Sequence, residues 1–114
     1  MTVEELAAKY GYKIATGSNE NLKNDVSGVY ACDLLSHAMA KVNSGDAWVT
    51  VHTNLNVVAV ASLTDAACVI IPENIEIEQA TLEKAVEKGV VFLSTSKSAA
   101  HICHEVLSAL EKGL

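Results

Sequence analysis

Between Asp46 and Pro72 the chain reads as strand, polar turn, apolar helix, strand, and few folds accommodate that succession. Ala47–Val51 is β-branched and aromatic, as strands are. Asn54 is a good N-cap for a helix over Leu55–Leu63. Cys68–Ile71 is an unbroken apolar run stopped by Pro72, as expected of a strand inside a parallel sheet with both faces covered. Two parallel strands joined through a helix form a βαβ unit, so a sheet with helices packed on it is implied. The helix holds Leu55, Val57, Val58, Ala59, Val60, Ala61 and Leu63. It is apolar nearly all round, and burial on more than one side is expected. A strand over 57–61 is the alternative. The Asn54 cap and the need for a crossover favour the helix.

The flanking segments continue the alternation. Thr2-Val-Glu-Glu5 is a capping box that starts a helix to about Tyr10, with Gly11 suited to the left-handed position after it. Tyr12–Thr16 reads as a strand, Gly17–Glu20 as a turn, and Asn21–Asp25 has no clear preference. Val26–Ala31 is the next strand. Asp33 can cap a helix over Leu34–Val42, in which Leu34, Leu35, Ala38, Met39 and Val42 share a stripe. Glu78–Lys88 is amphipathic with Leu82, Ala85 and Val86 inward, and Gly89 ends it. Val90–Leu93 is a buried strand and Ser94-Thr95-Ser96 a polar turn. A last helix runs from about Ser98 to Lys112 with Ile102, Val106, Leu107 and Leu110 inward. The expected architecture is α/β, a mostly parallel five-stranded sheet with helices on both faces, in one domain over residues 1–114. Half the residues are hydrophobic but only one Phe and one Trp occur, so Val, Ile, Leu and Ala must build the core.

Composition excludes several functions. A net charge of −6, with its eight basic residues scattered, disfavours a nucleic-acid backbone as partner. The apolar run at Val57–Ala61 is far too short to span a membrane, and Met1-Thr-Val-Glu-Glu-Leu6 lacks the basic start of a signal peptide. A cytoplasmic protein is expected. Three separated cysteines, Cys32, Cys68 and Cys103, with no C-x-x-C pair, are not a disulfide framework. They are too few for an iron–sulfur cluster held within one chain. No cofactor is expected.

In a parallel sheet, ligands bind outside the carboxyl ends of the strands, near a switch in strand order. Three polar turns should gather there: His52-Thr53-Asn54, Pro72-Glu73-Asn74 and Ser94-Thr95-Ser96. Cys32-Asp33 joins them. Two of these turns open helices, whose free N–H groups favour an anion. The candidate ligand-binding residues are therefore Asp33, His52, Thr53, Asn54, Glu73, Ser94, Thr95 and Ser96. Against this stands helix capping as the whole role of Asn54, Asp33 and Ser96. His52 has a pKa range suited to acid–base work, but no nucleophile sits beside it in sequence. No G-x-S-x-G elbow and no glycine-rich phosphate loop occurs. His101 and His104 share a helix side, yet two ligands do not make a closed zinc site.

Three stretches carry a family resemblance: Gly28-Val-Tyr-Ala-Cys-Asp-Leu-Leu-Ser36, Gly45 through Leu63, and Ala67-Cys-Val-Ile-Ile-Pro-Glu73. Together they resemble small stand-alone DRTGG-domain proteins, which are similar to the N-terminal domain of HPr kinase/phosphorylase. The resemblance runs from about Tyr12 to Ser108. It implies an α/β accessory domain, often a homodimer, with a regulatory or nucleotide-sensing role in some multidomain relatives. Related domains occur in some phosphotransacetylases and CBS-containing pyrophosphatases. Some short relatives lie near hydrogenase genes and are labelled iron–sulfur proteins, which implies a redox-enzyme partner. The family's Asp-Arg falls near Thr53-Asn54 here and its Thr-Gly-Gly near Pro72-Glu73-Asn74, so neither signature is present.

The sequence thus favours a non-catalytic regulatory or ligand-binding domain, homodimeric, for a nucleotide or another small anionic metabolite. A protein-contact adaptor in a redox or hydrogenase system is the first alternative. A small enzyme using His52 with Asp33 or Glu73 is the second.

Overall fold

The computed structural model describes residues 1–112. Its elements are α1 (Val3–Tyr10), β1 (Lys13–Thr16), a 3-10 turn (Asn21–Lys23), β2 (Gly28–Ala31), α2 (Leu35–Lys41), β3 (Asp46–Val49), α3 (Leu55–Thr64), β4 (Cys68–Ile71), α4 (Gln79–Lys88), β5 (Phe92–Ser94) and α5 (Ala99–Glu111). The expected α/β class, with a mostly parallel five-stranded sheet, is borne out.

Local chemistry sets the first helix as expected. Thr2 Oγ1 accepts from the Glu5 amide at 3.1 Å, and the Glu5 carboxylate accepts from the Thr2 amide at 2.8 Å. That backbone bond holds the Glu5 carboxyl below its ordinary pKa. Gly11 closes α1 at φ 73°, a conformation that costs glycine nothing.

The strand order is β1-β5-β4-β3-β2. From β2 to β5 every pair is parallel and each strand lies beside the next in sequence. Three successive crossovers that step in one direction with one hand must put their helices on one face. Accordingly α2, α3 and α4 share a face, where Ala38, Val57, Val58, Val60, Ala61 and Ala85 pack on Trp48, Val69, Ile71 and Phe92. The other face is covered by α1 and α5, through Val3, Leu6, Ile102 and Val106 on Ala47, Val49, Cys68, Ile70 and Leu93. The alternation along β3, β4 and β5 thus feeds two cores, which is why these strands read as unbroken apolar runs.

Several helix faces differ from expectation. The helix after β2 begins at Leu35 with Leu34 as an uncapped N-cap, because the Asp33 carboxylate is bound elsewhere. Leu34 and Met39 are exposed, and so is Leu107 of α5. In α4 the inward positions are Thr81 and Ala85, while Val86 is 70% exposed. Ser98, not Ser96, caps α5, accepting from the His101 amide at 3.1 Å. The helix α3 is flanked by α2 and α4. It buries Val57, Val58, Val60 and Ala61, but Leu55 is 49% and Leu63 73% exposed. Its outward row, expected to be covered, faces solvent.

Candidate functional site

The carboxyl ends of β2, β3, β4 and β5 lie along one edge, and the turns that follow them meet in two groups. The first group joins the turns after β2 and β3. Asp33 Oδ1 accepts from the Thr50 hydroxyl and from the Val51 amide, both at 2.9 Å. The His52 Nε2 is hydrogen-bonded to the Asp33 backbone carbonyl. A carbonyl only accepts, so the His52 Nε2–H is the donor. Asn54 caps α3, its side chain accepting from the Asn56 amide at 3.0 Å. Thr53 lies between them, half-buried.

The second group joins the turns after β4 and β5. The Glu73 amide donates to the Lys97 carbonyl at 3.0 Å and the Asn74 amide to the Thr95 carbonyl at 2.9 Å. Glu73 and Asn74 both adopt left-handed backbone, φ 62° and 54°. With Ile75 N donating to the Pro72 carbonyl at 3.2 Å, this is a type I′ turn. Such a turn favours glycine or asparagine at both centres, so Glu73 is held there at a cost.

The single break in the run of parallel strands lies between β5 and antiparallel β1. Register shifts between Ile14 and Thr16, leaving Ala15 without a partner on β5. This bulge and the Pro72–Ile75 turn flank a cleft of about 350 Å³. Its lining comprises Lys13, Ala15, Asn74, Ile75, Glu76, Ile77, Leu82 and Ser94. Neither the Lys13 ammonium nor the Ser94 hydroxyl has a partner among the described residues. The lining therefore offers a cation and a hydroxyl, the Glu76 carboxylate, and the apolar side chains of Ile75, Ile77 and Leu82.

Behind this edge a clasp fixes the β5 turn. The Lys97 ammonium donates to the Glu105 carboxylate at 2.8 and 3.1 Å and to the Tyr10 carbonyl at 2.9 Å. It also lies 5.7 and 5.4 Å from the ring centres of Tyr10 and Tyr12, within cation–π range. The Tyr12 hydroxyl donates to Glu105 at 2.7 Å. Burial, then this bond to a carboxylate, pushes the Tyr12 pKa well up.

Of the residues singled out from sequence, Ser94 lines the cleft, whereas Asp33, His52, Thr53, Asn54, Glu73, Thr95 and Ser96 do not. They occupy the same sheet edge around it. Sequence reasoning missed Lys13, Ile75, Glu76, Ile77 and Leu82. The Ile-Glu-Ile alternation just after Pro72 was the available signal. Among the described residues no three His, Cys, Asp or Glu side chains are placed to share a metal ion. His101 Nε2 lies 3.7 Å from Glu105. Cys68 is fully buried, which pushes its thiol up to about 12, and burial also raises Cys103. No described helix is long and apolar enough to cross a membrane.

No protein-family model matches the sequence, and no curated protein is significantly similar to it. The fold is similar to the crystal structure of the CBS and DRTGG domains of the regulatory region of Clostridium perfringens pyrophosphatase, complexed with its activator, diadenosine tetraphosphate. The TM-score is 0.75 at 8% identity, over 92% of this chain and 45% of that one. This chain thus spans less than half of that region. At such identity the likeness is one of fold, and it supports the DRTGG-like architecture expected from the sequence.

Proposed function

We propose that this chain is a regulatory ligand-binding domain that takes a small anionic metabolite of the nucleotide class at the β5–β1 cleft. The observation that carries the reading is the cleft itself. It brings the Lys13 ammonium and Ser94 hydroxyl, which have no partner among the described residues, into one lining with the apolar Ile75, Ile77 and Leu82. A cation and a hydroxyl suit a phosphate, and the wall suits a base. The volume of about 350 Å³ lies at the small end of ligand sites. Asp33, His52, Thr53, Asn54, Glu73, Thr95 and Ser96 continue the surface along the same edge, where a longer ligand would run. The nucleotide activator of the pyrophosphatase regulatory region supports the ligand class.

Binding without catalysis is the reading for His52 and Asp33. The ring donates to a backbone carbonyl, and an Asp33 carboxylate oxygen is taken by Thr50 and Val51. The domain is read as cytoplasmic. A second reading, protein contact through a homodimer or within a redox assembly, is favoured by the exposed Leu55 and Leu63 of α3.

Titration calorimetry with diadenosine tetraphosphate, ATP and pyrophosphate tests the ligand reading. At least one should bind, and Lys13→Glu should weaken it by about tenfold or more, equivalent to roughly 1.4 kcal/mol. No heat from any of the three at millimolar concentration, or equal binding by the variant, overturns it.

A further inference from the structure

We propose that Glu76 and Asn74 make the β5–β1 cleft selective for a nucleotide whose base is adenine, with its phosphate held at the Lys13–Ser94 end. This selectivity rests on the ligand reading of the same cleft, to which it adds the base and the orientation.

The opposite charges of the cleft come from different parts of the fold. Lys13 and Ser94 are partners across the antiparallel β1–β5 pair, so their side chains stand side by side on one face of the sheet. Asn74, Ile75, Glu76 and Ile77 belong to the segment between β4 and α4, and Leu82 to α4 itself. Lys13 and Glu76 share the lining without forming an ion pair. Neither the Glu76 carboxylate nor the Asn74 side-chain amide has a partner among the described residues.

An ionised carboxylate only accepts hydrogen bonds, and it repels a phosphate. Glu76 is therefore misplaced for an anion alone and well placed for the N–H edge of a base. That fixes the polarity of the ligand: phosphate at the strand pair, base on the apolar residues beside Glu76. Asn74 narrows the base. A side-chain amide pairs bidentately with adenine, accepting from N6 and donating to N7. The second N6 hydrogen is then left for the Glu76 carboxylate. Guanine offers two acceptors, O6 and N7, on that edge, and the Asn74 carbonyl would face O6. Hypoxanthine carries the same O6 where adenine carries its amino group. A site that hydrogen-bonds an N–H discriminates against the analogue lacking it, because its acceptors are left unpaired.

Titration calorimetry with ATP, ITP, GTP and pyrophosphate, on wild type and Glu76→Gln, tests the assignment. Glu76 is exposed, so the substitution leaves the fold intact. Wild type should bind ATP about tenfold more tightly than ITP or GTP. Glu76→Gln should bring ATP and ITP to near parity, because a glutamine amide donates to O6 as readily as it accepts from N6. The ratio is the readout, since removing a negative charge strengthens every anionic ligand alike. A ratio unchanged by Glu76→Gln means that the carboxylate only repels phosphate, and overturns its role. Equal binding of ATP and ITP by wild type, GTP ahead of ATP, or binding of pyrophosphate with none of the nucleotides overturns the base assignment while the anion site stands. No heat from any of the four overturns the ligand reading itself.

Discussion

Lys97→Met is the substitution that most directly tests how the proposed ligand edge is held. The Lys97 side chain is 28% and the Glu105 side chain 11% exposed, and the ion pair closes at 2.8 Å. Breaking a buried pair from one side costs roughly 3–5 kcal/mol, because the other charge is left without its partner. Residual water access at Lys97 lowers that figure, and the Tyr12 hydroxyl still donates to Glu105, so a loss of about 2 kcal/mol is expected. For a chain of this size that is a fall in Tm of about 8 °C. Urea denaturation followed by fluorescence of Trp48, the one tryptophan and fully buried, gives the equilibrium value.

The pH dependence makes the test specific. Burial alone would raise the Glu105 pKa. Hydrogen bonds from Lys97 and Tyr12, and the charges of Lys97 and His101, outweigh burial and hold it below the ordinary value. A carboxyl depressed in the folded state contributes stability that is present above its unfolded pKa, about 4.3, and is lost as pH falls through the folded value. The gap between wild type and Lys97→Met should be full at pH 7 and close in acid below about pH 4. The double variant Lys97→Met, Glu105→Leu should lose less than the single one, since no charge is then stranded. The Lys97 carbonyl receives the Glu73 amide, so amide exchange at Glu73 and Asn74 should quicken in the single variant. A variant within about 0.5 kcal/mol of wild type at pH 7, or a gap that ignores pH, refutes the clasp.

Two further substitutions probe buried polar groups. The Thr81 hydroxyl is fully buried in α4 and has no hydrogen-bond partner among the described residues, so Thr81→Val should stabilise by about 1 kcal/mol; a loss of stability on thermal unfolding would contradict that. Asp33→Ala leaves the buried Thr50 hydroxyl and the Val51 amide without their acceptor and should cost about 2 kcal/mol, whereas a neutral effect in urea would mean that water replaces the carboxylate freely.

Much of the fold was legible because its signals are short-range. The Thr2–Glu5 box, the Gly11 and Gly89 stops, the Asn54 cap and the Cys68–Ile71 strand stand where the sequence placed them. Side-chain facing was less legible. Helical spacing puts Val86 and Leu107 inward, but a helix lying on a sheet buries only a narrow stripe. In α4 that stripe is centred on Thr81 and Ala85, whose small side chains let the helix sit close to the sheet. Asp33 was assigned a cap from its position before a helix. Its carboxylate instead meets the Thr50 hydroxyl and the Val51 amide, an arrangement set by the pairing of β2 with β3 and invisible in a local window.

The cleft was illegible for a deeper reason. A parallel sheet announces a site through a reversal of strand order. Here β2 to β5 step steadily in one direction, so the run has no reversal and its turns tie to each other in pairs. The discontinuity comes from β1, which leaves the N-terminal helix and closes the far edge against β5 in the opposite sense. A strand nearly eighty residues away in sequence thus supplies Lys13 and Ala15 to a wall shared with Ser94. Nothing local in Lys13-Ile-Ala-Thr16 marks it as an edge strand. The Pro72–Ile75 turn shows the same dependence. Its two left-handed centres are held by Glu73 and Asn74, neither of them glycine, through amide hydrogen bonds to the turn after β5. The partners of Glu73 and Asn74 thus lie in a turn more than twenty residues further along the chain, so the shape of the cleft is set by pairing, and the Lys13→Glu titration tests its chemistry directly.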